Sequence, residues 1–114
     1  MIKKHIKEDP FTRIKLSIGI KLQINGEHLL GPTGAKMVEA IEKTGSIKRA
    51  AKIVNRSYRY VWAYLMDIER LLGVPIIETT KGGEKGGGTR LTKNGKKLLK
   101  IYHHYELKVR KLNL

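Results

Sequence analysis

The sequence predicts an α+β fold: a helix-turn-helix braced by a third helix, with a β-hairpin on either side and a long helix to close. Three observations predict it. Residues 45–73 hold two amphipathic helical repeats separated by a short break. An alternating apolar run near the N-terminus ends at an Asn-Gly pair. A β-rich stretch at 75–80 runs into a glycine-rich tip and a short return at 89–91.

Residues 1–13 are polar and charged, with Glu8, Asp9 and Pro10 as a breaker, and are expected to form a flexible arm. Its Lys3, Lys4 and Lys7 suit a reach along a nucleic-acid backbone; the plainer reading is a frayed terminus. From 14 to 24 the chain alternates. Ile14, Leu16, Ile18, Ile20, Leu22 and Ile24 share one face, and Lys15, Ser17, Gly19, Lys21 and Gln23 the other, the pattern of a half-buried strand. Asn25-Gly26 is a two-residue hairpin signal, with 27–30 as the return strand. Gly31, Pro32, Thr33 and Gly34 read as a turn into the first helix. Met37, Val38, Ala40 and Ile41 form its apolar face, and Thr44-Gly45 closes it.

Ser46 is a good N-cap for the next helix, in which Ile47, Ala50, Ala51 and Val54 recur at helical spacing. Asn55 is one of the few non-glycine residue types that tolerate the positive φ of a tight helical corner. Ser57 caps the second helix of the pair. There Tyr58, Val61, Trp62, Leu65, Ile68 and Leu72 read as one apolar stripe. Gly73 and Pro75 stop the helix. Its solvent side carries Arg56, Arg59, Tyr60 and Ala63, then Asp67 and Arg70. Arg forks onto guanine or phosphate, Tyr and Ser donate to phosphate, and Ala admits a base edge or a thymine methyl. Lys48, Arg49 and Lys52 on the preceding helix suit backbone contacts. The competing reading is an ordinary helical hairpin with a solvated charged face.

Residues 75–80, the tip and 89–91 make a β wing, so hairpin, three helices and wing together predict a winged helix-turn-helix. Lys81, Lys85 and Arg90 suit phosphate or minor-groove contact. Gly82 and Gly87 have the glycine spacing of a phosphate-binding loop, but Gly88 stands where that motif needs lysine and a strand follows, so nucleotide binding is not expected. Thr92 caps a last helix with Leu98, Leu99, Tyr102, Tyr105, Val109 and Leu112 on its apolar side. Pairing of two copies would cover that stripe, which predicts a homodimer. A helix packed back on its own core is the alternative. His103 and His104 point about 100° apart on a helix and do not share a metal unaided. No carboxylate pair, nucleophile set or metal-spaced cluster stands out, so neither enzyme activity nor a cofactor is expected.

Lys plus Arg number 24 against 10 acidic residues, a net charge of +14 over 114 residues. That excess costs self-repulsion and suits a polyanionic partner. The chain lacks a run of about 20 apolar residues that would span a membrane. It has no cysteine, which excludes disulfides and fits a cytoplasmic protein; with DNA as the polyanion, the expected location is cytoplasmic and nucleoid-associated.

The ordered set Gly45-Ser46-Ile47, Ala50-Ala51, Ser57-Tyr58-Arg59-Tyr60-Val61-Trp62, Gly73-Val74-Pro75-Ile76, Gly82-Gly83, Gly86-Gly87-Gly88, Arg90-Leu91-Thr92, Gly95 and Leu98 resembles the N-terminal DNA-binding domain of the ModE family. Those molybdate-responsive repressors carry a winged helix related to that of LysR-type regulators. The resemblance implies that the second helix of the pair, 57–72, reads the major groove, that the wing touches the flanking backbone, and that the helix after the wing helps dimerise. Ser57, Tyr58, Arg59 and Tyr60 begin the implied recognition helix. ModE proteins continue into oxyanion-binding domains. This sequence ends at Leu114 without such a region, so molybdate binding is not expected of it.

The expected organisation is therefore an arm at 1–13, a winged helix-turn-helix DNA-binding domain at 14–91 and a dimerisation helix at 92–114. The leading functional expectation is a dimeric regulator that binds specific double-stranded DNA. The alternatives are an architectural DNA coat with little sequence preference, and an adaptor that docks an acidic protein.

Overall fold

The computed structural model describes residues 8–80 and 88–112. The elements in chain order are a 3-10 turn Pro10–Arg13, β1 Leu22–Ile24, β2 Glu27–Leu30, α1 Pro32–Thr44, α2 Ile47–Val54, α3 Tyr58–Leu72, β3 Ile77–Thr80, β4 Gly88–Leu91 and α4 Lys93–Arg110. Two separate antiparallel hairpins, β1-β2 and β3-β4, flank the helices. This is the winged helix-turn-helix that the sequence predicts.

Local chemistry sets the helix ends. Ser46, Ser57 and Thr92 each accept a backbone N–H with the side-chain oxygen, from Arg49, Tyr60 and Gly95 at 3.0–3.1 Å. Asn55 sits at φ 56°, ψ 48° and turns α2 into α3. The N–H of Arg56 donates back to the Ala51 carbonyl at 3.0 Å and closes the corner. Helix α1 begins earlier than the sequence reading has it. Pro32 is its first residue and Gly31 its N-cap, because proline's fixed φ and missing N–H suit a first helical position.

The core lies between the three helices and the bases of both hairpins. Met37, Val38 and Ile41 from α1, Ala50 and Ala51 from α2, and Val61, Leu65 and Ile68 from α3 are buried together. Leu30, Ile76 and Leu91 join them from the hairpins. Helix α4 closes the far side with Leu98, Leu99 and Tyr102. Thr92 anchors that closure. Its N–H donates to the Ile76 carbonyl at 2.9 Å, and its hydroxyl donates to the Pro75 carbonyl at 2.7 Å.

Two expectations fail. The run 14–24 forms a strand only at its end, Leu22–Ile24. Strand β2 is four residues long because Gly31 and Pro32 divert the chain into α1, and its last residue, Leu30, pairs with Leu22. Residues 14–21 have outrun their partner and belong to no strand. Ile14 and Leu16 are 70% and 75% exposed. The other failure is on α3, where Tyr58 and Trp62 are 53% and 48% exposed instead of lying in the apolar stripe. The fully buried arc is narrower than the sequence reading: Val61, Leu65 and Ile68 are buried, with Tyr64, Met66, Leu71 and Leu72 partly buried beside them.

Candidate nucleic-acid interface

The predicted contact residues on α2, the corner and α3 are all exposed. Lys48, Arg49 and Lys52 are exposed on α2, Arg56 and Ser57 on the corner, and Arg59, Tyr60 and Ala63 on the outer side of α3. Helical geometry brings the last set together, because residues three and four apart share a face. The predicted wing residues Lys81 and Lys85, and the glycine-rich tip, lie outside the described residues; so do Lys3, Lys4 and Lys7 of the arm. Arg90 is described. It sits on β4 opposite Glu78 and is held in an ion pair with that carboxylate, so its charge is partly spoken for. Arg70 likewise pairs with Asp67 at 2.7 Å, leaving the end of α3 nearly neutral.

Arg56 and Arg59 stand exposed at the start of α3, and a chain of aromatic contacts orders Arg56. The Arg56 guanidinium lies over the Tyr60 ring, 5.4 Å from its centroid, a cation–π arrangement. Tyr60 leans on Tyr64 with centroids 6.3 Å apart. The Tyr64 hydroxyl is 2.8 Å from His28 Nε2 on β2 and accepts the Gly31 N–H at 3.3 Å. Burial raises the Tyr64 pKa above its ordinary value, so the ring stays neutral and hydrogen-bonded at physiological pH. Gly34 makes this possible. A Cβ there would stand 2.5 Å from the Tyr64 hydroxyl, so only glycine leaves the ring its seat. The N-terminal hairpin thus braces α3 from one side.

The wing side has its own brace. The Glu69 carboxylate, one turn before the end of α3, accepts the N–H groups of Ile76 and Ile77 at 2.8 and 3.2 Å. The N–H of Thr89 donates to the Gly45 carbonyl at 2.9 Å. Helix and wing are therefore fixed relative to one another. No local pattern singles out Tyr64 or Glu69, and Glu69 gains its partners only because the chain returns past α3.

The predicted dimerisation residues divide. Leu98, Leu99 and Tyr102 are buried in the chain's own core and cannot also face a partner. Val109 is half-buried, and Tyr105 and Leu112 are exposed. Ile101, exposed one turn before Tyr105, belongs with them. The outward stripe of this region is thus Ile101, Tyr105 and Leu112, bordered by Lys97, Lys100 and His104.

Residues 34–96 match the family model described as bacterial regulatory helix-turn-helix protein, lysR family. The chain is 38% identical over 78 residues to molybdenum transport protein ModE of Azotobacter vinelandii, covering 68% of this chain and 29% of that protein. It is 32% identical over 91 residues to transcriptional regulator ModE of Haemophilus influenzae, covering 80% of this chain and 34% of that one. The chain therefore spans about a third of the length of these curated relatives. Among solved structures, ArgP from Mycobacterium tuberculosis superposes with a TM-score of 0.56 at 20% identity, over 73% of this chain and 29% of that one, a likeness of fold.

Proposed function

This chain belongs to the LysR family of bacterial regulatory helix-turn-helix proteins, and from that premise we propose that it is a dimeric, sequence-specific regulator of transcription acting on double-stranded DNA. Helix α3 enters the major groove, with Arg59 and Ala63 toward base edges and Arg56, Tyr60 and Ser57 beside them. Lys48, Arg49 and Lys52 neutralise phosphates next to the groove, and the wing, including Lys81, Lys85 and Arg90, meets the flanking backbone. Two copies pair through Ile101, Tyr105 and Leu112 on and beyond α4. Half-sites then recur about 34–36 Å apart, one turn of DNA.

One observation carries the reading: Arg59 and the small Ala63 share the outer side of a helix braced from both flanks, with Arg56 exposed at its start. A rigid, basic, outward helix is what groove reading demands. The net charge of +14 favours a second reading, an architectural coat, because phosphate neutralisation alone supplies sequence-blind affinity. Sheared genomic DNA, captured by the protein at physiological salt and sequenced against input, separates them. A few sharply enriched inverted repeats support the regulator. Even recovery supports the coat. No recovery overturns both.

A further inference from the structure

The largest aromatic side chain of this protein stands in solvent. Trp62 is the only tryptophan, and it is 48% exposed in the middle of α3. It lies about 100° round the helix from Val61, clear of the core that Val61, Leu65 and Ile68 fill. Tyr58, four residues earlier, is exposed on the same side. Tyr58, Arg59, Trp62 and Ala63 together line an open, mainly apolar hollow on the outer side of the helix. Tyr58 also borders a second hollow, formed by Gly45, Lys48, Thr79, Thr80 and Thr89, between α2 and the wing. The indole thus lies on the wing side of Arg59, at the α3 surface that faces out.

From this geometry we infer that Trp62 is a specificity-determining residue: with Ala63 it forms an apolar seat for the 5-methyl group of a thymine adjacent to a base pair read by Arg59. This rests on the reading of α3 as a major-groove helix. The chemistry selects the occupant. The major groove presents one apolar feature, the thymine methyl, and presents it beside the acceptors that arginine forks onto. The hollow pairs an apolar wall with a guanidinium in the same way, because Trp62 and Ala63 are the i+3 and i+4 neighbours of Arg59. The surrounding charge suits a polyanion: Lys48, Arg49, Lys52 and Arg56 are exposed along the adjoining α2 and corner.

The test uses the full chain and a randomised duplex pool. Enriched duplexes are resynthesised with deoxyuridine in place of one thymidine at a time, which removes a single methyl group. Binding is followed by fluorescence anisotropy of labelled DNA, and the emission of Trp62 is recorded in parallel. The expected result is a loss of about fourfold at one thymine in each half-site, the worth of burying one methyl-sized group. A change in Trp62 emission should saturate together with the anisotropy. Trp62→Ala should bind thymidine and deoxyuridine duplexes alike. Tight binding of the selected duplex with no methyl-sensitive thymine, or with unaltered Trp62 emission, overturns the inference while leaving DNA binding intact. Binding without enrichment of any sequence overturns it too, and absence of binding removes both this inference and the function on which it rests.

Discussion

Replacing Gly95 by alanine should destabilise this protein, although the change alone favours a helix. Gly95 lies in the first turn of α4, where alanine is worth about 1 kcal/mol more than glycine by propensity. A Cβ there would stand 2.2 Å from the Ile76 carbonyl oxygen and 3.3 Å from Leu91 Cβ. Carbon–oxygen contacts settle at roughly 3.3 Å or more, so α4 must retreat by about 1 Å. The Ile76 oxygen is backbone, and it is pinned by the Thr92 N–H at 2.9 Å. Retreat therefore strains that bond and the Thr92 hydroxyl bond to Pro75, together worth roughly 2 kcal/mol. Overpacking beneath fully buried Ile76 adds roughly 1–3 kcal/mol. Against the gain in propensity, the net loss is about 2–4 kcal/mol. Urea unfolding followed by circular dichroism measures it, with Gly73→Ala as the control. At Gly73, φ is 76° and nothing stands within 4 Å of the added carbon, so only backbone strain of about 1–2 kcal/mol applies. An unchanged or raised midpoint for Gly95→Ala would refute the close seat of α4 on the wing.

Glu69→Ala should cost about 2–3 kcal/mol by the same assay, since it strips a charged acceptor from two N–H groups. Glu69→Gln should recover much of that loss, because both bonds go to one oxygen and an amide oxygen can replace it. At the corner, Asn55→Gly should be nearly neutral and Asn55→Val should lose about 1–2 kcal/mol, because φ is 56° there; melting temperatures decide. Tyr64→Phe should lower stability and weaken DNA binding together, since it frees Tyr60 and Arg56 from their anchor on β2. Burial raises the Tyr64 pKa from its ordinary 10.0, so its stabilisation is complete below pH 10 and is lost as pH rises through the folded-state value. The alkaline limb of a stability-against-pH curve should therefore be shallower in Tyr64→Phe than in the parent.

Apart from the start of α1, the helix boundaries were legible because single residues dictate them. Ser46, Ser57 and Thr92 cap through their own side chains, and Asn55 supplies a conformation that few residues tolerate. The turn at Asn25-Gly26 was legible for the same reason. The lengths of paired elements were not. Alternation through 14–24 reports a strand's willingness, while the ladder's extent depends on how soon β2 ends, a property of Gly31 and Pro32. Trp62 and Tyr58 were misassigned because a hydrophobic stripe says which residues could be buried, not how wide an arc the neighbouring helices cover. Leu98, Leu99 and Tyr102 show the converse. Their stripe was read correctly as apolar, yet the chain's own core claims it. His28 and Tyr64 lie 36 residues apart in sequence, and no local pattern announces that they meet.

The segment that outruns its hairpin has a colloidal consequence. An unpaired, alternating stretch such as 14–18 is a template for edge-to-edge aggregation, and lysines act as gatekeepers at such places. Lys15 lies within this one and Lys21 just beyond it, and the net charge of +14 keeps copies apart at low salt. Added salt shortens the reach of that repulsion to about 10 Å at 0.1 M. Ionic strength therefore acts on this chain twice: it loosens the grip on a polyanion and removes the barrier that keeps sticky edges from meeting.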